Sequence, residues 1–153
     1  MDPSAKTLAV LIVEDEALLA MDLEAIITDC GHRVIAEAAS FDEVEALTIE
    51  APDLVFLDMH LAKGSSGLDV AALIRERWTS AVIVFVTANP MKIPSDFAGA
   101  HGVIPKPFSR NGLMSAIRYL QQGMTAPPPS IPRPISFVPA PIIEARWSEI
   151  EMT

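Results

Sequence analysis

Four short apolar runs in this chain each end, at their carboxyl side, on a residue able to serve as an acid, a hydroxyl donor or a cation. Leu8–Val13 runs into Glu14-Asp15 and Leu54–Leu57 into Asp58. Val82–Val86 runs into Thr87, and Val103-Ile104 leads past Pro105 into Lys106-Pro107. In an open parallel sheet the ligand crevice lies outside the carboxyl ends of the strands. If the runs pair side by side, three carboxylates, a hydroxyl and an ammonium converge on one spot. The coincidence of four such endings constrains the fold to one in which these runs are neighbouring parallel strands.

Between the runs the apolar spacing is that of helices. Leu19, Leu23, Ile26, Ile27 and Cys30 recur at three- and four-residue steps, and Gly31 follows as a helix stop. Val34-Ile35-Ala36 reads as a short second strand. Ser40 suits the N-cap of a helix carrying Phe41, Val44 and Leu47, closed by Pro52. Gly67 opens a third helix through about Trp78. Ser109 suits the N-cap of a last helix with Leu113, Ile117 and Leu120 on one face. Strands alternating with helices predict a parallel sheet covered on both faces. The stretch from Ala88 to His101 is irregular. Pro90, Pro94 and Gly99 oppose a long helix there, so the fourth helix is expected to be short or distorted.

The 153 residues, half of them hydrophobic, suffice for one domain with a core and an extra segment. A net charge of -9 leaves few cations to neutralise phosphates, which argues against direct nucleic-acid binding. The single cysteine, Cys30, excludes an internal disulfide and fits a reducing cytoplasm. The N-terminus lacks the pattern of a signal peptide, and no apolar run approaches the ~20 residues of a membrane helix. From about Met124 the composition changes: prolines stand at 127, 128, 129, 132, 134, 139 and 141. That reads as an extended linker, with a PxxP-type docking site as its alternative. A short amphipathic end, Ile142 to Ile150, follows. Its Trp147 either packs back on the domain or lies in a partner's groove.

The gathered residues suit phosphoryl transfer. A carboxylate can attack phosphorus and form an aspartyl phosphate. The transfer calls for a metal that bridges phosphoryl oxygens, and for a cation opposite it. Glu14, Asp15 and Asp58 supply the carboxylates that Mg²⁺ prefers. Lys106 supplies a point charge for a phosphoryl oxygen, and Thr87 a hydroxyl that can reorient towards one. The bland readings are a charged turn capping the first helix for Glu14-Asp15, and an ordinary strand residue for Thr87. They do not account for the set, nor for a strand-end lysine in an apolar setting.

On the stretches Ile12-Val13-Glu14-Asp15-Glu16, Leu57-Asp58-Met59, Val86-Thr87-Ala88 and Lys106-Pro107-Phe108, the sequence resembles the receiver domains of two-component response regulators. The likeness covers residues 7–122 and leaves 123–153 as a proline-rich C-terminal tail. It implies a doubly wound, flavodoxin-like α/β fold: a five-stranded parallel sheet of order 2-1-3-4-5 with five helices. It implies Asp58 as phosphoacceptor, Thr87 and Lys106 as the phosphoryl-binding pair, and Glu14, Asp15, Asp58 and the His60 backbone carbonyl around Mg²⁺. It also implies a cis Lys106-Pro107 bond. The wording around Glu14–Glu24, Gly31-His32 and Leu61–Asp69 is similar to the receiver half of proteobacterial general-stress regulators and stand-alone receivers near them. Those are often served by histidine kinases of the HWE and related classes.

The pattern is departed from in three places. Val103 stands where the family usually carries Tyr or Phe, Leu61 where a proline is common, and the fourth helix is degraded. His32, His60 and His101 show no paired metal-ligand spacing. With too few residues after the linker for an output domain, the expectation is a single-domain regulator. A histidine kinase or phosphotransfer protein would phosphorylate it, and it would signal through protein contacts with an unnamed target. A homodimer is compatible with this. The alternatives are a phosphate sink or relay, and a pseudo-receiver that is never phosphorylated. An enzyme rival, a phosphohydrolase of the haloacid-dehalogenase type, would carry a second acid where His60 stands.

Overall fold

A computed structural model describes residues 6–152, with side chains through 147. Burial alternates along the strands, and this sets the layers. In β1 (Ala9–Val13), Val10 and Ile12 join one apolar cluster while Leu11 and Val13 join the other. In β3 (Leu54–Leu57), Leu54 and Phe56 divide from Val55 and Leu57 in the same way. A sheet buried on both faces needs apolar residues at every position, which is why these runs are continuous. β2 (Arg33–Ala38), β4 (Val82–Thr87) and β5 (Gly102–Pro105) complete the parallel order β2-β1-β3-β4-β5.

Helices α1 (Ala17–Asp29) and α4 (Arg110–Thr125) cover one face, through Leu23, Ile27, Leu113 and Leu120. Helices α2 (Phe41–Ala46) and α3 (Gly67–Arg77) cover the other, through Val44, Val70 and Ile74. The serine caps expected at 40 and 109 are present. Each hydroxyl accepts a first-turn N–H, from Glu43 and Gly112. Gly31 ends α1 with φ +89°, a conformation that glycine adopts without steric cost. The Lys106-Pro107 peptide is cis.

The fourth crossover contains no α-helix. Two single 3₁₀ turns, Pro90–Lys92 and Phe97–Gly99, replace it. Phe97, Ala98 and Gly99 all lie at positive φ (57°, 51° and 80°), and Asp96 holds the turn by accepting from the Ala98 N–H.

The tail differs from the expected extended linker, and the sheet has six strands where five were expected. Val138–Pro139 forms β6, antiparallel to β5, and Pro141–Met152 forms a fifth helix, α5. Phe137, Ile143 and Trp147 are buried in the α1/α4 layer. The intervening prolines lie along α4. There the Gln122 side-chain oxygen accepts from the Ser130 N–H and hydroxyl, and the Ser136 hydroxyl donates to the Gly112 carbonyl. Composition missed this because proline removes backbone donors without preventing a chain from packing its few apolar side chains.

Candidate functional site

Backbone hydrogen bonds fix the strand ends that carry the site. The Glu14 N–H donates to the Ala38 carbonyl at 2.9 Å, the Asp58 N–H to Val13 at 3.0 Å and the Lys106 N–H to Thr87 at 2.8 Å. Asp58 is buried at the end of β3, the strand between β1 and β4. Gly67, opening α3, lets that helix approach it. A β-carbon at Gly67 would lie 2.3 Å from the Asp58 carbonyl oxygen, so only glycine fits.

Lys106 Nζ lies 2.9 Å from Asp58 Oδ2, 3.3 Å from Glu14 Oε2 and 3.5 Å from Glu16 Oε2. Carboxylate oxygens of Glu14, Glu16 and Asp58 lie within 4.8 Å of one another. Glu14 is raised to about 7, by burial first and then by the charge of Asp58, with the Glu16 N–H and Lys106 opposing. Burial pulls Lys106 down, but its hydrogen bonds and charge contacts with Asp58 and Glu14 outweigh this and hold the ammonium above its ordinary value. Three acids therefore face one ammonium, and the surplus of negative charge suits a divalent cation with oxygen ligands.

Of the residues expected from sequence, Glu14, Asp58 and Lys106 are brought together. Asp15 is exposed and outside the group of three carboxylates. Glu16 takes that place, and the sequence reading assigned it no role. The signal was present in the period: in extended backbone, residues i and i+2 point the same way, and Glu16 is extended (φ -86°, ψ 105°). Thr87 is fully buried at the end of β4, and its hydroxyl oxygen accepts from the Asn89 N–H at 3.0 Å. The His60 N–H donates to Asp58 Oδ1 at 3.3 Å, a contact also missed, while the His60 residue itself is exposed. His32 and His101 are structural: their Nδ1 atoms accept from the backbone N–H groups of Leu8 and Ile83. Val103 is buried between β4 and β6.

A doubly wound sheet with a buried strand-end aspartate, flanking acids and a lysine at the next-but-one strand end defines a signalling class, and the chain belongs to it. The response regulator receiver domain family matches residues 10–118. The chain is 37% identical over 111 residues to the phyllosphere-induced regulator PhyR of Methylorubrum extorquens, across 71% of this chain and 41% of that protein. It is similar to the receiver domain of PhyR from Erythrobacter litoralis, with a TM-score of 0.67 and 30% identity over 82% of this chain and 97% of that one. A two-component response regulator of the LuxR family from Aurantimonas matches with a TM-score of 0.63 and 26% identity, over 97% of this chain and 100% of that one. That likeness extends over the tail. The chain spans 41% to 54% of the length of the first curated relatives it matches.

Proposed function

We propose that this response regulator accepts a phosphoryl group on Asp58. One observation carries the reading: Asp58 is buried at the end of a central strand, with Lys106 Nζ at 2.9 Å and two further carboxylates beside it. An Asp58 oxygen attacks the phosphorus, the bond from phosphorus to the donor's atom breaks, and Lys106 meets the charge gathering on the phosphoryl oxygens. The His60 N–H orients the Asp58 carboxylate through its other oxygen. The buried Thr87 hydroxyl turns from Asn89 towards the new group. Glu14, Asp58 and the His60 backbone carbonyl would hold Mg²⁺ together with Asp15, whose exposed carboxylate would turn in to join them while Glu16 stays with Lys106. The ion supplies charge neutralisation at the phosphoryl oxygens.

The donor is a histidine kinase, with the HWE class favoured by the likeness to PhyR receivers, or a phosphotransfer protein. The signal leaves by protein contacts in the cytoplasm, and a homodimer is compatible with it. We draw the receiver unit at residues 7–122 and treat 123–153 as a tail that completes its edge. Acetyl phosphate with Mg²⁺ is expected to add one phosphoryl group, read by intact-mass spectrometry and absent in Asp58→Asn. A modification that survives that substitution would overturn the assignment.

A further inference from the structure

A cavity of about 660 Å³ lies at the end of the sheet away from Asp58. Leu8 precedes β1 and Val82 opens β4, and both line it. It therefore sits at the amino ends of the strands whose carboxyl ends carry the site. β1 is five residues long, which separates the two places by about 17 Å. The other walls come from the end of α4 and from α5, through Met124, Ile143 and Trp147. α5 approaches closely because Gly123 is bare: a β-carbon there would lie 2.1 Å from the Trp147 ring. The chain thus returns, after its prolines, to lay apolar side chains beside the foot of the sheet, and a space is left between them.

The polar part of the lining is charged and held in place. Lys6 Nζ donates to Asp53 Oδ1 at 3.0 Å, and the Lys6 carbonyl accepts from Gln121 Nε2 at 2.7 Å. Asp53 Oδ2 accepts from the Ala9 N–H at 2.8 Å, so both oxygens of this acid are engaged. Arg146 also lines the cavity, is exposed, and forms no ion pair among the described residues. Two cations thus face one committed acid, a local reversal of sign in a chain of net charge -9. A concave space of this size with apolar walls and a few placed polar groups is the usual form of a small-molecule site. Here the walls favour an apolar body and the surplus cation favours an anion, for which a guanidinium offers two parallel donors.

We propose that this cavity binds a small organic anion, a carboxylate on an aromatic or aliphatic body. The carboxylate meets Arg146 and Lys6, and the body lies among Leu8, Val82, Ile143 and Trp147. The site shares no residue with the phosphoacceptor centre and stands apart from that reading. Ile143, Arg146 and Trp147 all belong to α5 while Leu8 and Val82 belong to the sheet, so a bound molecule fastens the tail to the domain. It stabilises the folded chain by mass action as its concentration passes the dissociation constant.

Titration of the full chain with 4-phenylbutyrate and with its uncharged amide, followed by amide NMR shifts, tests this. The carboxylate is expected to bind with a dissociation constant of about 1 mM or lower, and the amide at least about fivefold more weakly. The shifts should fall on residues 6–8, 80–82 and 143–147. Arg146→Glu should weaken the carboxylate by about tenfold or more and leave the amide unchanged, since only the charged probe feels the reversal. Ser80→Trp, at an exposed lining position, should remove both by filling the space. Arg146 and Ser80 are both exposed, so neither variant threatens the fold. Equal affinities for the two probes, unmoved by Arg146→Glu, would overturn the choice of an anion. Shifts elsewhere, binding that survives Ser80→Trp, or none up to about 10 mM would overturn the site.

Discussion

Keeping Glu14 charged in the site is costly. Its carboxyl is buried beside Asp58 and is raised from 4.5 to about 7, chiefly by desolvation and then by that neighbour. A group raised in the folded state holds its proton more tightly there than in the unfolded chain. Its contribution to stability is full below about 4.5 and is lost as pH rises through about 7. In chelator, urea denaturation should therefore show stability falling across that window, by on the order of 1–3 kcal/mol, and Glu14→Gln should flatten the fall. A profile unchanged by Glu14→Gln would place the titration elsewhere. The metal shell gives a second test at this scale. By calorimetry, Asp15→Ala should weaken Mg²⁺ binding far more than His60→Ala, since His60 is proposed to offer only its backbone. Lys106→Ala should leave the ion bound while slowing phosphorylation, because ammonium and metal compete for the same acids. Glu14, Asp58 and Lys106 were legible because each ends an apolar run. Glu16 was passed over, because its i, i+2 relation to Glu14 counts only where the chain stays extended beyond β1, as it does at Glu16.

Among the elements, the connection from β4 to β5 has the least regular backbone. Of three successive residues at positive φ, the two that are not glycine, Phe97 and Ala98, each carry about 1–2 kcal/mol of strain. Gly99 also gives room to the Arg75 side chain, which a β-carbon would strike. The segment starts two residues after Thr87 and ends one residue before β5, so it joins two strands that must respond at the site. Val103, β-branched and buried, offers no ring to swing. Amides 89–101 should therefore exchange fastest within the receiver core and gain protection with beryllofluoride. Unchanged exchange there would route the signal elsewhere. The prolines at 90 and 94 made this irregularity readable in advance. What they did not reveal is that two 3₁₀ turns replace the helix, which depends on the Asp96 cap and the space left by Gly99.

At the scale of the whole molecule, the tail turns an edge strand into an interior one. β5 would otherwise present free N–H and C=O groups, and the proline-bearing β6 covers them with a strand poorly suited to further pairing. The phenyl ring of Phe137 is 1% exposed, so Phe137→Ala should cost about 3–5 kcal/mol in urea denaturation of the full chain. A loss below about 1 kcal/mol would mean that the receiver core stands without its sixth strand. That the first five strands are parallel followed from the alternation of apolar runs and helical spacing, and their order from the resemblance to receiver domains. The sixth did not, because its signal is one aromatic, Phe137, and one i, i+4 pair, Ile143 and Trp147, inside a proline background.

The two tryptophans of the chain sit on opposite sides of the sheet. Trp78 closes α3 in one layer, with the Arg77 guanidinium 4.6 Å from its ring centre. Trp147 lies in the other layer, edge-on to Tyr119. Each indole therefore sees a different half of the protein and a different neighbour, one a cation and one a phenol. The fluorescence of the chain is the sum of two local reports. Replacing either tryptophan with phenylalanine leaves a protein whose emission follows one layer alone, so light can time the two halves of the domain separately.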